Sequence, residues 1–209
     1  MSIRTYGDTS VYGGLHDEEF AEASQRFFED VRAGRFGLMT SAVVDDELEE
    51  APPAVRQDYQ ALLPHVTVVD ITEDALELQE AYLAAGILTR TWEDDALHIA
   101  LATVHGCDLI VSWNFKHIVH FQKIPQYNAV NALHGYDDIA IHSPPEGSAM
   151  TTKSEKEFDA VEMKRRAARA IRERLKVKDM SERLSYWQER TAALRQRQSD
   201  QQASESVSS

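Results

Sequence analysis

Along this chain the spacing of apolar residues switches repeatedly between short continuous runs and recurrences of three and four. Ile-Arg-Thr-Tyr at 3–6, Phe36 to Met39, Val66 to Ile71, Leu109 to Val111 and Ile139 to His142 read as strands. Between them lie helical faces. Phe20, Ala23, Phe27, Phe28 and Val31 share one, ended by Gly34. Ser41 is the expected N-cap of a helix over 42–50, stopped by Pro52-Pro53, and Val55, Tyr59, Leu62 and Leu63 mark the next. Thr72 opens a helix through Ala85. Leu97, Ala100, Leu101 and Val104 mark another, with Thr91 as its expected N-cap and Gly106 as its stop. A short helix over 125–133 precedes Gly135. Strands alternating with helices predict a three-layer α/β/α fold around a mainly parallel sheet.

After a linker at 143–148 (S-P-P-E-G-S) the pattern changes. Met163, Ala167, Ile171 and Leu175 recur every four residues in a basic amphipathic helix, and Leu184, Trp187, Thr191 and Leu194 line a second. Neither helix can bury its stripe alone, so each needs a surface to dock on. The expected organisation is a domain over 1–146, a basic helical segment over 147–198, and a Gln/Ser-rich tail over 199–209 read as disordered.

Charge sharpens that division. The first 149 residues hold 8 of the 22 Lys and Arg but 25 of the 35 Asp and Glu, a net of −17. The remainder carries +4. The two parts should attract, and the acidic part is not itself a phosphate-binding surface. A single cysteine, Cys107, precludes an internal disulfide. No apolar run approaches the ~20 residues that span a bilayer, and no apolar leader opens the chain, so a cytoplasmic protein without membrane contact is expected.

In a parallel sheet the strand ends share one edge, where ligands bind. Asp8 follows the first strand, Glu47 lies two turns into the helix after the second, Asp95 opens the helix before the fourth, and Asn114 follows that strand. Each acid alone has an ordinary role: an N-cap for Asp8, a solvated acidic run for Glu47, a helix-dipole partner for Asp95. Together they form a crowded set of hard oxygen ligands suited to Mg²⁺ or Mn²⁺. The histidines, with His98 and His105 on one helix and His117 and His120 beyond it, match no structural zinc spacing.

Over about residues 3–145 these motifs resemble the PIN-domain ribonucleases, the toxins of many bacterial toxin–antitoxin pairs. D-T-S at 8–10, S-A-V-V-D-D-E-L at 41–48, D-A-L-H-I-A-L-A at 95–102 and V-S-W-N-F-K-H-I at 111–118 carry the resemblance. It selects Glu47 over Asp45 and Asp46, and Asp95 over Asp94. Asn114 and His117 stand where acids are common in that family, which lowers the ligand charge. The resemblance implies metal-dependent hydrolysis of RNA, with Asp8 and Asp95 as direct metal ligands, Glu47 ligating the metal or orienting the attacking water, Asn114 positioning that water or a ligand, and Ser10 and Ser112 binding phosphate oxygens. It also implies a homo-oligomer. Residues 150–198 resemble the short helical antitoxins encoded beside such toxins, so the segment is expected to inhibit the nuclease in cis, or in trans within a dimer. Met150 would be the relic of a separate start. The alternative is a catalytically weak or inactive PIN-fold protein with a regulatory, RNA-binding or scaffold role.

Overall fold

The computed structural model describes residues 2–144 and 158–207. β1 (Ile3–Gly7), β2 (Phe36–Ser41), β3 (Thr67–Val69), β4 (Leu109–Val111) and β5 (Ala140–His142) form one sheet in the order β3-β2-β1-β4-β5. Every neighbouring pair is parallel. Helices α1 (Thr9–Gly14) and α2 (Ala21–Arg32) follow β1, and α3 (Ala42–Leu48) and α4 (Pro53–Leu62) follow β2. Next come α5 (Glu73–Ala84) and α6 (Glu93–Val104) after β3, and α7 (Ile124–Leu133) after β4. The α/β architecture with helices flanking a parallel sheet is the one the sequence pattern predicts. Tyr6, Leu38, Ile110 and Val111 are buried at the sheet centre, as strands covered on both faces require.

The chain runs outward from β1 to β3, then returns to β4 on the other side of β1. That reversal opens a crevice at the carboxyl ends of β1 and β4. Gly7 pairs with Val111, and the Asp8 N–H donates to the Val111 carbonyl at 3.1 Å. Asp8 and Ser112 therefore leave the sheet side by side.

Several boundaries differ from expectation. Pro53 starts α4 rather than only ending α3, because proline fits the first helical position. Ser41 occupies the N-cap position of α3 but makes no capping bond, since its hydroxyl bonds the Tyr6 hydroxyl instead. Thr91 is not an N-cap: it lies inside a 3₁₀ turn, Arg90–Trp92, and α6 begins at Glu93.

Two helices close the chain. α8 (Ala160–Leu175) is capped by Asp159, whose side chain accepts from the Glu162 N–H. α9 (Met180–Val207) opens with a reciprocal capping box between Asp179 and Glu182. The tail expected to be disordered from Ser199 is helical to Val207. Its glutamines supply the reason: Gln198 donates to the Leu63 and Val66 carbonyls, and Gln202 to that of Pro64. Most of the expected linker, the expected boundary near 146 and Met150 lie outside the described residues.

Met163, Ala167, Ile171 and Leu175 of α8 are buried, as are Trp187, Thr191 and Leu194 of α9. α8 packs on α1 and α3, and α9 on α3 and β3. α1 admits α8 closely because Gly13 has no side chain: a Cβ there would lie 2.9 Å from the Ala160 Cβ. Among the described residues no helix is long and apolar enough to cross a membrane.

Trp187→Ala removes the largest buried side chain of the tail, a loss on the order of 3–5 kcal/mol of packing. Trypsin should then cut within α8 and α9 at a protease concentration at least tenfold lower, while the thermal transition of the sheet domain moves little. Unchanged trypsin resistance would mean that the indole does not hold the tail down.

Candidate active site

Asp8, Glu47, Asp95 and Asn114 come together at the β1/β4 crevice, and all four are buried. Each carboxylate is anchored through one oxygen. Asp8 is indeed the N-cap of α1: its Oδ1 accepts from the Ser10 N–H at 2.9 Å and from the Ser10 hydroxyl. Glu47 Oε2 accepts from the Thr9 hydroxyl and lies 3.2 Å from His98 Nε2. Asp95 Oδ2 lies 2.9 Å from His117 Nδ1. The second oxygens differ in their surroundings. Asp8 Oδ2 and Asp95 Oδ1 converge on a single atom, the Lys164 ammonium of α8, at 2.6 and 2.5 Å. Glu47 Oε1 is buried without a hydrogen-bond partner.

Lys164 is 1% exposed. Burial on its own would favour loss of its proton, yet the charges of Asp8, Asp95 and Glu47 raise its pKa well above that of an ordinary lysine. Burial likewise works to raise Asp95, but Lys164 and His117 hold its carboxyl well below the usual range. Asp94, one residue away, goes the other way. Burial first, then the charge of Glu47, pushes it up to about 7, against the opposing pull of Arg172 at 3.3 Å. The same crevice thus shifts two adjacent aspartates in opposite directions, because Asp95 faces Lys164 and His117 while Asp94 faces Glu47.

The donor set suits a hard cation, and Lys164 is a cation held where two of the carboxylates meet. With Lys164 present the arrangement leaves no metal site: among the described residues no three His, Cys, Asp or Glu side chains form a group that could hold a metal ion. Glu47 is drawn aside toward Thr9 and His98, so only two carboxylates share the central point. What remains over Asp95 is a cavity of about 10 Å³ between Trp92, Asp94, Lys164, Arg165 and Arg172, about the room of one water.

The other expected site residues take different parts. Ser10 and Ser112 are fully buried and tie the two loops together. Ser10 Oγ bonds Asp8 and accepts from the Trp113 N–H at 2.9 Å, and Ser112 Oγ accepts from the Asn114 N–H at 2.9 Å. With α8 docked they act as struts of the carboxylate array. Asn114 uses its Oδ1 to accept from the His117 N–H at 3.2 Å, leaving its buried Nδ2 without a partner. Three participants escaped the sequence reading. Lys164 was one of 14 bases in the second part; its signal was its place next to Met163, on the face that continues to Ala168 and Ile171. His98, read as an ordinary histidine, links Glu47 to the Tyr6 hydroxyl at 3.0 Å. Thr9 sits inside the D-T-S motif, but nothing local indicates that it bonds Glu47.

The raised Asp94 has a consequence for stability. A carboxyl whose folded pKa lies above its unfolded value binds more protons folded than unfolded, so its contribution falls as pH rises between 3.8 and about 7. Asp94→Asn should remove that fall. In urea titrations the variant should gain on the parent by a few kcal/mol across this window, with no further gain above it. A difference that is constant with pH would contradict the shift. A scan of family models and a search of curated proteins both return no match to the chain.

Proposed function

We propose that this protein is a PIN-type, Mg²⁺- or Mn²⁺-dependent endoribonuclease whose own C-terminal helices hold it inactive. The observation that carries the reading is the convergence of Asp8 and Asp95 on one buried cation, supplied by Lys164 of the segment that resembles an antitoxin. Asp8 and Asp95, with Glu47, would hold the metal once α8 is withdrawn. Bound there, the metal supplies charge stabilisation at a phosphate and a more acidic water.

The remaining roles belong to the chain itself. Ser10 and the α1 backbone fix one oxygen of Asp8, and His117 fixes one oxygen of Asp95. The second oxygens are thereby aimed at the shared seat, with little reorganisation left for binding. Thr9 and His98 hold Glu47 so that Oε1 stays free of protein partners, the position for orienting a water. A buried carboxylate oxygen without a partner is costly and points to one that is missing. Trp92 packs on the His117 ring, centroids 4.1 Å apart, and keeps that imidazole against Asp95.

Lys164 accounts for inhibition on the same terms. It neutralises the seat, and α8 lies across the crevice. A fold kept for regulation without chemistry is the second reading, favoured by how completely Lys164 satisfies the two aspartates. It predicts no cleavage under any condition.

RNA cleavage in Mn²⁺ separates the two. Lys164→Ala leaves two buried carboxylates without a counterion, at a cost on the order of 3–5 kcal/mol unless a cation enters or α8 lifts. Gly13→Val displaces α8 while keeping Lys164. Both full-length variants should cleave single-stranded RNA at least tenfold faster than the parent, and EDTA should abolish the gain. Adding Asp95→Asn or Asp8→Asn to Lys164→Ala should return the rate to background. Cleavage that persists in both double variants would sink the site assignment. A parent that already matches Lys164→Ala and Gly13→Val would sink the inhibition.

A further inference from the structure

The loop from Trp113 to Lys123, between β4 and α7, starts at the crevice and carries features the site does not use. Phe121 is 78% exposed and Phe115 45%. Phe121 lies flat against the His120 ring, with centroids 5.6 Å apart and planes inclined by 7°. The Lys116 ammonium stands 5.2 Å from the centroid of Trp92, the ring that packs on His117. The loop is firmly held. The Asn114 carbonyl accepts from the Ile118 and Val119 N–H groups, and the Tyr127 hydroxyl donates to the His117 carbonyl at 2.9 Å. The exposed rings are therefore presented on a fixed frame.

Charge distinguishes this segment as well. From Leu109 to Tyr136 the sequence has no aspartate or glutamate, while the first 149 residues as a whole hold 25. Lys116, Lys123 and three histidines fall within that stretch. A polyanion repelled by the rest of the sheet domain meets no acid of this segment on its way to Asn114.

We infer that the β4–α7 loop is a single-stranded RNA platform, on which Phe115 and Phe121 stack bases and Lys116 meets the backbone phosphate beside the crevice. Exposed aromatic faces accept any unpaired base, and a nearby lysine contributes a salt-dependent, sequence-independent term. Paired bases cannot reach such rings, so the platform selects single strands over duplex. The inference rests on the nuclease reading for its substrate class, but its residues are not those of the carboxylate site. With α8 docked, Phe115 and Phe121 remain exposed, so the intact chain offers the platform even when the crevice is closed.

The test is fluorescence anisotropy of a short fluorescein-labelled oligouridylate with the full-length protein in EDTA, where no cleavage interferes. Phe121→Ala and Phe115→Ala should each weaken binding about tenfold, the worth of one stacked base. Lys116→Ala should weaken it and reduce the slope of log affinity against log salt by about one. Leu133→Ala, more exposed than either phenylalanine but at the far end of α7, should bind as the parent does. Parent-like affinity in both phenylalanine variants overturns the inference, as does a duplex bound as tightly as the single strand, or no binding by the parent. A change in oligomeric state on Phe121→Ala, with RNA affinity unchanged, would also overturn it and assign the ring to an interface between copies. Cleavage that ignores Phe121 would remove the platform alone. Platform binding in a protein that never cleaves would remove the nuclease alone.

Discussion

Three carboxylates buried in one crevice need a cation. Asp8, Glu47 and Asp95 are drawn together by the ends of two adjacent strands and the helices beside them, and water cannot screen them there. The attraction that resolves this is the pair of contacts from Lys164 to Asp8 and Asp95. Isolated burial of an ammonium or of these carboxylates costs several kcal/mol per ion, and only close mutual pairing offsets it. The position of α8 follows from that requirement. The helix must approach until its lysine reaches the floor of the crevice, and Gly13 on α1 facing Ala160 on α8 provides the clearance.

The rest of the tail is fastened by two means of unequal worth. Arg172 pairs with Asp94, Arg183 with Glu80, Arg190 with Asp46 and Glu49, Arg195 with Asp70, and Arg197 with Asp45. These pairs fulfil the attraction expected from the −17 and +4 division, but several are half-exposed and such pairs contribute ~0–1 kcal/mol each. Their value lies in register: they fix which turn of each helix meets which acid. Most of the adhesion comes from the apolar stripes, Met163 to Leu175 on α8 and Trp187 with Leu194 on α9. Covalent linkage adds to both, because a tethered segment faces its docking surface at an effective concentration on the order of mM.

Much of the fold was legible because a parallel sheet leaves a strong trace. β4 was readable to the residue as Leu109–Val111, and the switch of apolar spacing located every other strand to within two residues at either end. The carboxylate cluster was legible for the same reason, since topology alone brings Asp8, Asp95 and Asn114 to one edge. Local rules failed where tertiary partners took over. Ser41 gives its hydroxyl to Tyr6 rather than to its own helix, and the Gln-rich end of α9 is helical because its amides find loop carbonyls at Leu63, Pro64 and Val66. Lys164 and His98 were beyond local rules, because a basic residue on an apolar face is informative only once the opposing surface is known. The bonds that Ser10 and Ser112 make to the carboxylate loops were equally beyond local rules, because they join residues about a hundred positions apart.

On the proposed function, Lys164 and a divalent cation compete for one seat between Asp8 and Asp95. Mn²⁺ binding measured by electron paramagnetic resonance on the full-length parent and on Lys164→Ala tests it without reference to turnover. Lys164→Ala should bind Mn²⁺ at least tenfold more tightly than the parent, and adding Asp95→Asn should remove the gain. Equal Mn²⁺ affinity in the parent and in Lys164→Ala would contradict it.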